Sequence, residues 1–115
     1  MQNKVALAQA LEALQASGDA FKTMLEHGTL SVELYKPDAI DSQTPHDRDE
    51  VYIIATGGGK FILEDSITAF SPGDFLFVPA GAHHRFIDFT PDFSTWVMFY
   101  GPRGGERSNL TNYIF

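Results

Sequence analysis

The sequence predicts an all-β fold of short strands, a sandwich or barrel, preceded by a single amino-terminal helix. Three observations carry that expectation. Apolar residues recur at helical spacing only ahead of Gly18, the period from Phe21 onward is two, and the strand-like runs are short and divided by Gly, Pro, Asp and Ser. Many short strands without helical patterns between them argue against a βαβ fold.

In "NKVALAQALEALQASG", Leu7, Leu11 and Leu14 share one helical face, with Val5 nearby. Gln9, Glu12 and Gln15 break the apolar run, so it reads as an amphipathic helix and not as a signal peptide. Asn3 is the expected cap, and Gly18 the left-handed residue after the end. Next, "FKTMLE" and "TLSVELY" flank His27-Gly28 as a hairpin, with Leu30, Val32 and Leu34 alternating against Ser31, Glu33 and Tyr35. "KPDAIDSQTP" is a connecting loop. The runs "EVYIIA", "KFILE", "ITAF", "FLFVP", "HRFIDF" and "STWVMFY" then follow as strands. The expected organisation over 1–115 is one domain: a helix over 1–18, a barrel over 21–100 and a tail over 101–115. The tail ends in Tyr113, Ile114 and Phe115, apolar enough to expect packing on the barrel or on a second copy.

Composition narrows the function. The chain has 115 residues, 15 acidic against 8 basic side chains and a formal charge of -7, which argues against a nucleic-acid groove or an anionic membrane surface. It contains no cysteine, which removes disulfides, thiolate catalysis and sulfur-rich zinc sites, so a metal would need nitrogen and oxygen ligands. With no export signal and no long apolar run, a cytoplasmic protein is expected, and the sequon at Asn109 is a chance match. "GGG" at 57–59 lacks the helix start and lysine pattern of a phosphate loop and reads as a hairpin turn.

The chemistry gathers around "PHDRDEVYIIATGGG" and "GDFLFVPAGAHHRFID". If Glu50 points inward from its strand, Tyr52 and Ile54 do so too, Val51 and Ile53 face outward, and His46 and Arg48 share the inward parity. By itself, a His and a Glu four positions apart is more often a strand-entrance ion pair than a metal site. The Pro79-Ala80-Gly81 turn adds a second histidine. His84 would point inward and His83 outward, unless a bulge reverses them.

The two stretches resemble the motifs of the cupin family. "DAIDSQTPHDRDEVYIIATG" fits the first, Gly, five residues, His-x-His, three or four residues, Glu, six residues, Gly, through His46, Glu50 and Gly57. "GDFLFVPAGAHHRFID" fits the second, Gly, five residues, Pro-x-Gly, two residues, His, three residues, Asn, through Gly73, Pro79, Gly81 and His84. Asp38 replaces the first glycine, Asp88 the asparagine, and Thr44 the first metal-binding histidine. The resemblance implies a double-stranded β-helix, the jelly-roll barrel, with His46, Glu50 and His84 on a divalent metal such as iron, manganese, nickel or zinc. Gln43, Thr44 or water would fill the gap. Glu50 and Tyr52 are the catalytic candidates, and Arg48, Tyr52, Phe86 and Tyr100 the substrate-pocket candidates. Arg48 and Arg85 could pair with an anionic group, although surface salt bridges are the commoner role, and Arg103 could lie beside the mouth.

Two functions of different class follow. One is a metal-dependent enzyme, oxygenase- or isomerase-like, acting on a small organic molecule; the other is a binding or sensing module without turnover, with or without metal. No separate general base is evident beyond the ligands. Outward apolar residues at 51 and 53 and the aromatic tail imply a homodimer, as in many small cupins.

Overall fold

The structure is a computed structural model and describes residues 3–107. The order is α1 (Leu7–Ser17), β1 (Phe21–His27), β2 (Leu30–Tyr35), β3 (Asp49–Thr56), β4 (Gly59–Leu63), β5 (Ser66–Phe70), β6 (Phe75–Val78), β7 (His84–Ile87) and β8 (Ser94–Tyr100). All strand pairs are antiparallel, forming a five-stranded sheet β1-β2-β8-β3-β6 and a three-stranded sheet β5-β4-β7. This is the all-β jelly roll that the motifs imply. No helix among the described residues is long and apolar enough to cross a membrane. The packing expected of Tyr113, Ile114 and Phe115, like the sequon at Asn109, lies outside the described residues.

The helix begins later than the sequence suggests. Ala6, with extended φ and ψ of -71° and 145°, stands at the cap, and its N–H donates to Gln9 Oε1 at 3.2 Å. That bond satisfies the backbone donor at the cap from the first turn of the helix, so Asn3 is not the cap. Gly18 ends the helix at φ 74°, as expected. Ala10 and Leu14 are buried with Leu34 of β2, and Leu7, Leu11, Met24 and Trp96 pack around them. The helix therefore covers the outer face of the large sheet at its β1–β2 end.

That placement decides what β2 presents to the barrel. Its apolar residue Leu34 is fully buried beneath the helix, so Ser31, Glu33 and Tyr35 face the interior. Strand register extends this inner face in rows. Glu33, Val97, Tyr52 and Leu76 are successive partners across four strands, and Ser31, Phe99, Glu50 and Val78 form the adjacent row. Between the sheets lies an aromatic core. Phe86 meets Tyr52, Phe61, Phe70 and Phe93 with ring centroids 4.7 to 5.4 Å apart. Tilted and edge-on contacts of this kind fill the space between the two sheets.

Candidate metal centre

Glu50 is the second residue of β3 and is completely buried, while Tyr52 and Ile54 continue its inward face and Val51 and Ile53 remain half-exposed. The alternation expected from the sequence therefore holds along this strand. His46 lies before β3, where its carbonyl accepts from the Gly81 N–H at 2.6 Å. That bond ties the first histidine to the turn that delivers the second. In the turn, Ala82 N–H donates to the Pro79 carbonyl at 3.1 Å and Gly81 takes φ 82°. The chain then enters β7 with His84 buried and His83 exposed, so no bulge exchanges them.

His46, Glu50 and His84 each offer a ligand atom, and these atoms lie within 4.8 Å of one another. His84 Nε2 is 3.2 Å and His46 Nε2 4.0 Å from Glu50 Oε1, and the two imidazole centroids are 5.5 Å apart. The 3.2 Å separation lacks hydrogen-bond geometry. Both Glu50 oxygens and both Nε2 atoms are buried without a hydrogen-bond partner. Buried polar atoms are nearly always paired, because leaving one unpaired costs roughly 1–3 kcal/mol. Four such atoms converging on one point fit a cation. His84 Nδ1 lies 3.0 Å from the Ala82 carbonyl, which fixes the proton on Nδ1 and leaves the Nε2 lone pair facing Glu50. Burial lowers the His84 pKa, but the Glu50 carboxylate, the Ala82 carbonyl and Asp41 outweigh it, so the net shift is upward.

The remaining candidates are distributed differently. Gln43 Oε1 accepts from the Tyr52 hydroxyl at 2.9 Å, while Gln43 Nε2 donates to Asp41 Oδ2 at 2.9 Å. Thr44 is exposed. Arg48 donates to the Thr29 carbonyl in the β1–β2 turn, and its Nε is buried without a partner. Phe86 belongs to the packed core beneath Tyr52. Tyr100, expected at the pocket, is paired with Asp49 and so lies on the face of β8 opposite Phe99. Phe99 takes that place instead, edge-on to His46 at a centroid distance of 4.9 Å. Arg85 is exposed, and Arg103 pairs with Asp47 at 2.7 Å on the surface, where its hydrogen bond holds the Asp47 carboxyl below the usual range.

Three acidic residues around the site are not among the candidates that the motifs point to. Asp49, nearly fully buried, accepts from the Ala80 N–H at 2.9 Å and the Glu106 N–H at 2.7 Å, clamping the motif turn and the segment after β8. Asp41 is buried on the connection between β2 and β3. Glu33 stands half-buried on the inner face one row from Glu50, and burial, then the charges of Glu50 and Glu26, raise its pKa. The alternation in "TLSVELY" contained the signal for Glu33, but not which side of the strand would face the cavity.

The cavities of about 980 Å³ and 300 Å³ lie elsewhere, the first between α1 and the Lys36–Ala39 segment and the second between β4, β5 and β6. Neither touches the three donors. The first is larger, but none of the buried polar atoms without a partner among the described residues belongs to its lining.

The cupin domain model, Cupin_2, matches residues 31–94, a span that includes all three donors. An uncharacterized protein of Streptomyces coelicolor is 37% identical over 95 residues, covering 80% of this chain and 90% of its own. Among solved structures, KdgF from Halomonas sp. superposes with a TM-score of 0.63 at 22% identity, over 72% of this chain and 80% of that one. The DMSP lyase DddQ from Ruegeria pomeroyi gives 0.62 at 23% identity, over 71% of this chain and 46% of that one. At these identities the structural likenesses speak for the fold alone. The family match spans more than half of the sequence and the Streptomyces relative most of it, and the chain belongs to the cupin domain family.

Proposed function

We propose that this cupin holds one divalent metal through His46, Glu50 and His84 and binds a small organic molecule beside it, as an enzyme of oxygenase- or isomerase-like type. The observation that carries the reading is the set of buried polar atoms without partners. Of the five among the described residues, four belong to these three side chains. Two imidazoles and one carboxylate suit iron, manganese, nickel or zinc and leave coordination positions for substrate. When bound, the metal supplies Lewis-acid polarisation of an oxygen or activation of dioxygen or water.

The chain's own residues supply the rest. The Ala82 carbonyl holds the His84 tautomer, the Gly81 N–H holds the backbone at His46, and Phe99 and Val97 form an apolar inner wall. Glu33, whose carboxyl keeps its proton to higher pH than an ordinary glutamate, is the acid–base group that the ligand set lacks.

Elemental analysis of the untagged protein should find close to one equivalent of metal, or take it up from iron, manganese, nickel or zinc salts. The His46→Ala and His84→Ala variants should lose it. A wild-type protein that stays empty after exposure to all four would sink the metal reading and leave the non-catalytic binding module in its place.

We further propose a homodimer formed through the outer face of the large sheet. Val32, Met98, Val51 and Phe77 form one apolar row of strand partners, and Ile53 and Phe75 lie in the next, with Phe75 53% exposed. An uncovered apolar surface of this kind favours a partner. Light scattering should give twice the chain mass for wild type and the single mass for Ile53→Asp. A monomeric wild type at high micromolar concentration would rule the dimer out.

A further inference from the structure

Asp41 takes part in none of the roles assigned so far, although it is 2% exposed and accepts four hydrogen bonds. Oδ1 takes the Tyr35 hydroxyl at 2.6 Å and the Gln43 N–H at 3.2 Å. Oδ2 takes Gln43 Nε2 at 2.9 Å and the Phe86 N–H at 2.8 Å. A carboxylate only accepts, so it fixes what the shape of a glutamine amide leaves open: the Gln43 NH₂ faces Asp41, and the carbonyl oxygen must face the other way. There it meets the Tyr52 hydroxyl at 2.9 Å. An amide oxygen cannot donate, so the phenol does, and a phenol has one proton. That proton is committed to Gln43.

Glu50 lies two residues before Tyr52 on the same face, and neither of its oxygens has a hydrogen-bond partner. The Tyr52 ring nevertheless stands beside the same centre, its centroid 6.2 Å from that of His84, whose Nε2 is 3.2 Å from Glu50 Oε1. Without Gln43 as acceptor, the hydroxyl would turn to Glu50.

We infer that Asp41 is a positioning residue: acting through Gln43, it turns the Tyr52 proton away from Glu50 and keeps both carboxylate oxygens free for a cation. This rests on the metal reading above. A hydroxyl bound to Glu50 would have to be displaced by the metal, and a hydrogen bond to a buried charge is strong enough to weaken binding roughly ten- to hundredfold.

The test is zinc affinity of the full chain, measured against a chromophoric chelator, for wild type, Asp41→Asn, Tyr52→Phe and the double variant. Asp41→Asn should bind zinc roughly ten- to hundredfold more weakly, Tyr52→Phe should stay near wild type, and the double variant should recover, because the competing hydroxyl is gone. If Asp41 merely held the loop and the Phe86 N–H, the double variant would stay as weak as Asp41→Asn, and the inference would fall. It would also fall if Asp41→Asn bound zinc like wild type. Should Asp41→Asn not fold, Gln43→Leu replaces it, with the same expected weakening and the same rescue by Tyr52→Phe. A wild type that binds no zinc counts against the metal reading. In that case, proton NMR of the metal-free protein decides the inference separately. The shielded Tyr52 hydroxyl proton should show its nuclear Overhauser contacts to the Gln43 side chain, and finding them to Glu50 instead would overturn it.

Discussion

Replacing Glu50 by Gln should stabilise the metal-free protein at alkaline pH, above the point where His84 loses its proton, destabilise it at pH 5.5 and abolish metal binding at both. The side chain is completely buried, and neither of its oxygens has a hydrogen-bond partner. What remains in its favour is the nearby His84, and only when that ring is protonated. The His84 pKa is raised above the ordinary 6.5. A group shifted upward on folding contributes stability that is fully present below its unfolded value and is lost as pH rises through the folded value. At pH 5.5 the protonated His84 ring therefore has Glu50 as its buried partner, and removing that partner leaves the ring uncompensated, at a cost of roughly 3 kcal/mol. Above the folded His84 value the ring is neutral and no longer offsets the burial of Glu50, whose oxygens have no other partner, so the isosteric amide gains about 1–2 kcal/mol.

Metal reverses the alkaline result. Added zinc stabilises only the protein that binds it, by about 2.7 kcal/mol at a free concentration one hundred times Kd, so wild type should overtake the variant. Chemical denaturation at the two pH values, with EDTA and with zinc, reads all four quantities. If Glu50→Gln is destabilising by the same amount throughout, Glu50 is an ordinary structural carboxylate and not a vacant ligand. If the signs differ as expected, the apparent defect of the metal-free site, several polar atoms without partners, is a trade of stability for binding.

The part of this centre that was legible in the sequence was the part governed by strand parity. Once Glu50 is placed inward, Tyr52 and Ile54 follow, and one residue of offset sends His84 in and His83 out. Parity failed where it needed a reference that the local sequence lacks. In β2 the apolar side is the one beneath α1, so Glu33 and Tyr35 face the barrel, against the usual pattern of an apolar side toward the core. In β8 the motif gives no fixed residue, and the pocket position falls to Phe99 and not to Tyr100. Asp41 lay in a stretch read as a loop, and nothing local shows that a loop aspartate will reach the N–H of Phe86, forty-five positions along the chain. The helix start was misplaced because the cap came from Gln9 reaching back, and not from the polar residue at position 3.

The motif glycines separate two costs that are usually merged. Gly57, Gly73 and Gly81 all have positive φ, at 77°, 91° and 82°, so an alanine at any of them is strained by roughly 1–2 kcal/mol from the backbone alone. At Gly73 and Gly81 a Cβ would meet nothing within 4 Å. At Gly57 it would lie 2.5 Å from Thr90 Oγ1, 2.6 Å from Phe93 Cα and 2.8 Å from Phe93 N. Two of those three are backbone, which no rotamer can move. The segment they belong to is also pinned, because Phe93 N–H donates to the Thr90 carbonyl at 3.0 Å and Thr90 N–H to the Gly58 carbonyl at 2.9 Å. Gly81→Ala should thus lose about 1–2 kcal/mol and keep its metal, whereas Gly57→Ala should lose more than about 4 kcal/mol and fail to accumulate as folded protein.

Asp88 supports the same reasoning from the other side. It occupies the motif's asparagine position at φ 50°, a conformation that Asn and Asp tolerate better than other residues with a Cβ. Asp88→Asn should therefore be close to neutral, and Asp88→Val should cost about as much as Gly81→Ala. Denaturant midpoints of the four variants give the order directly. Equal losses for Gly57→Ala and Gly81→Ala would mean that the 90–93 segment yields, and that the first-motif glycine is kept for its φ alone.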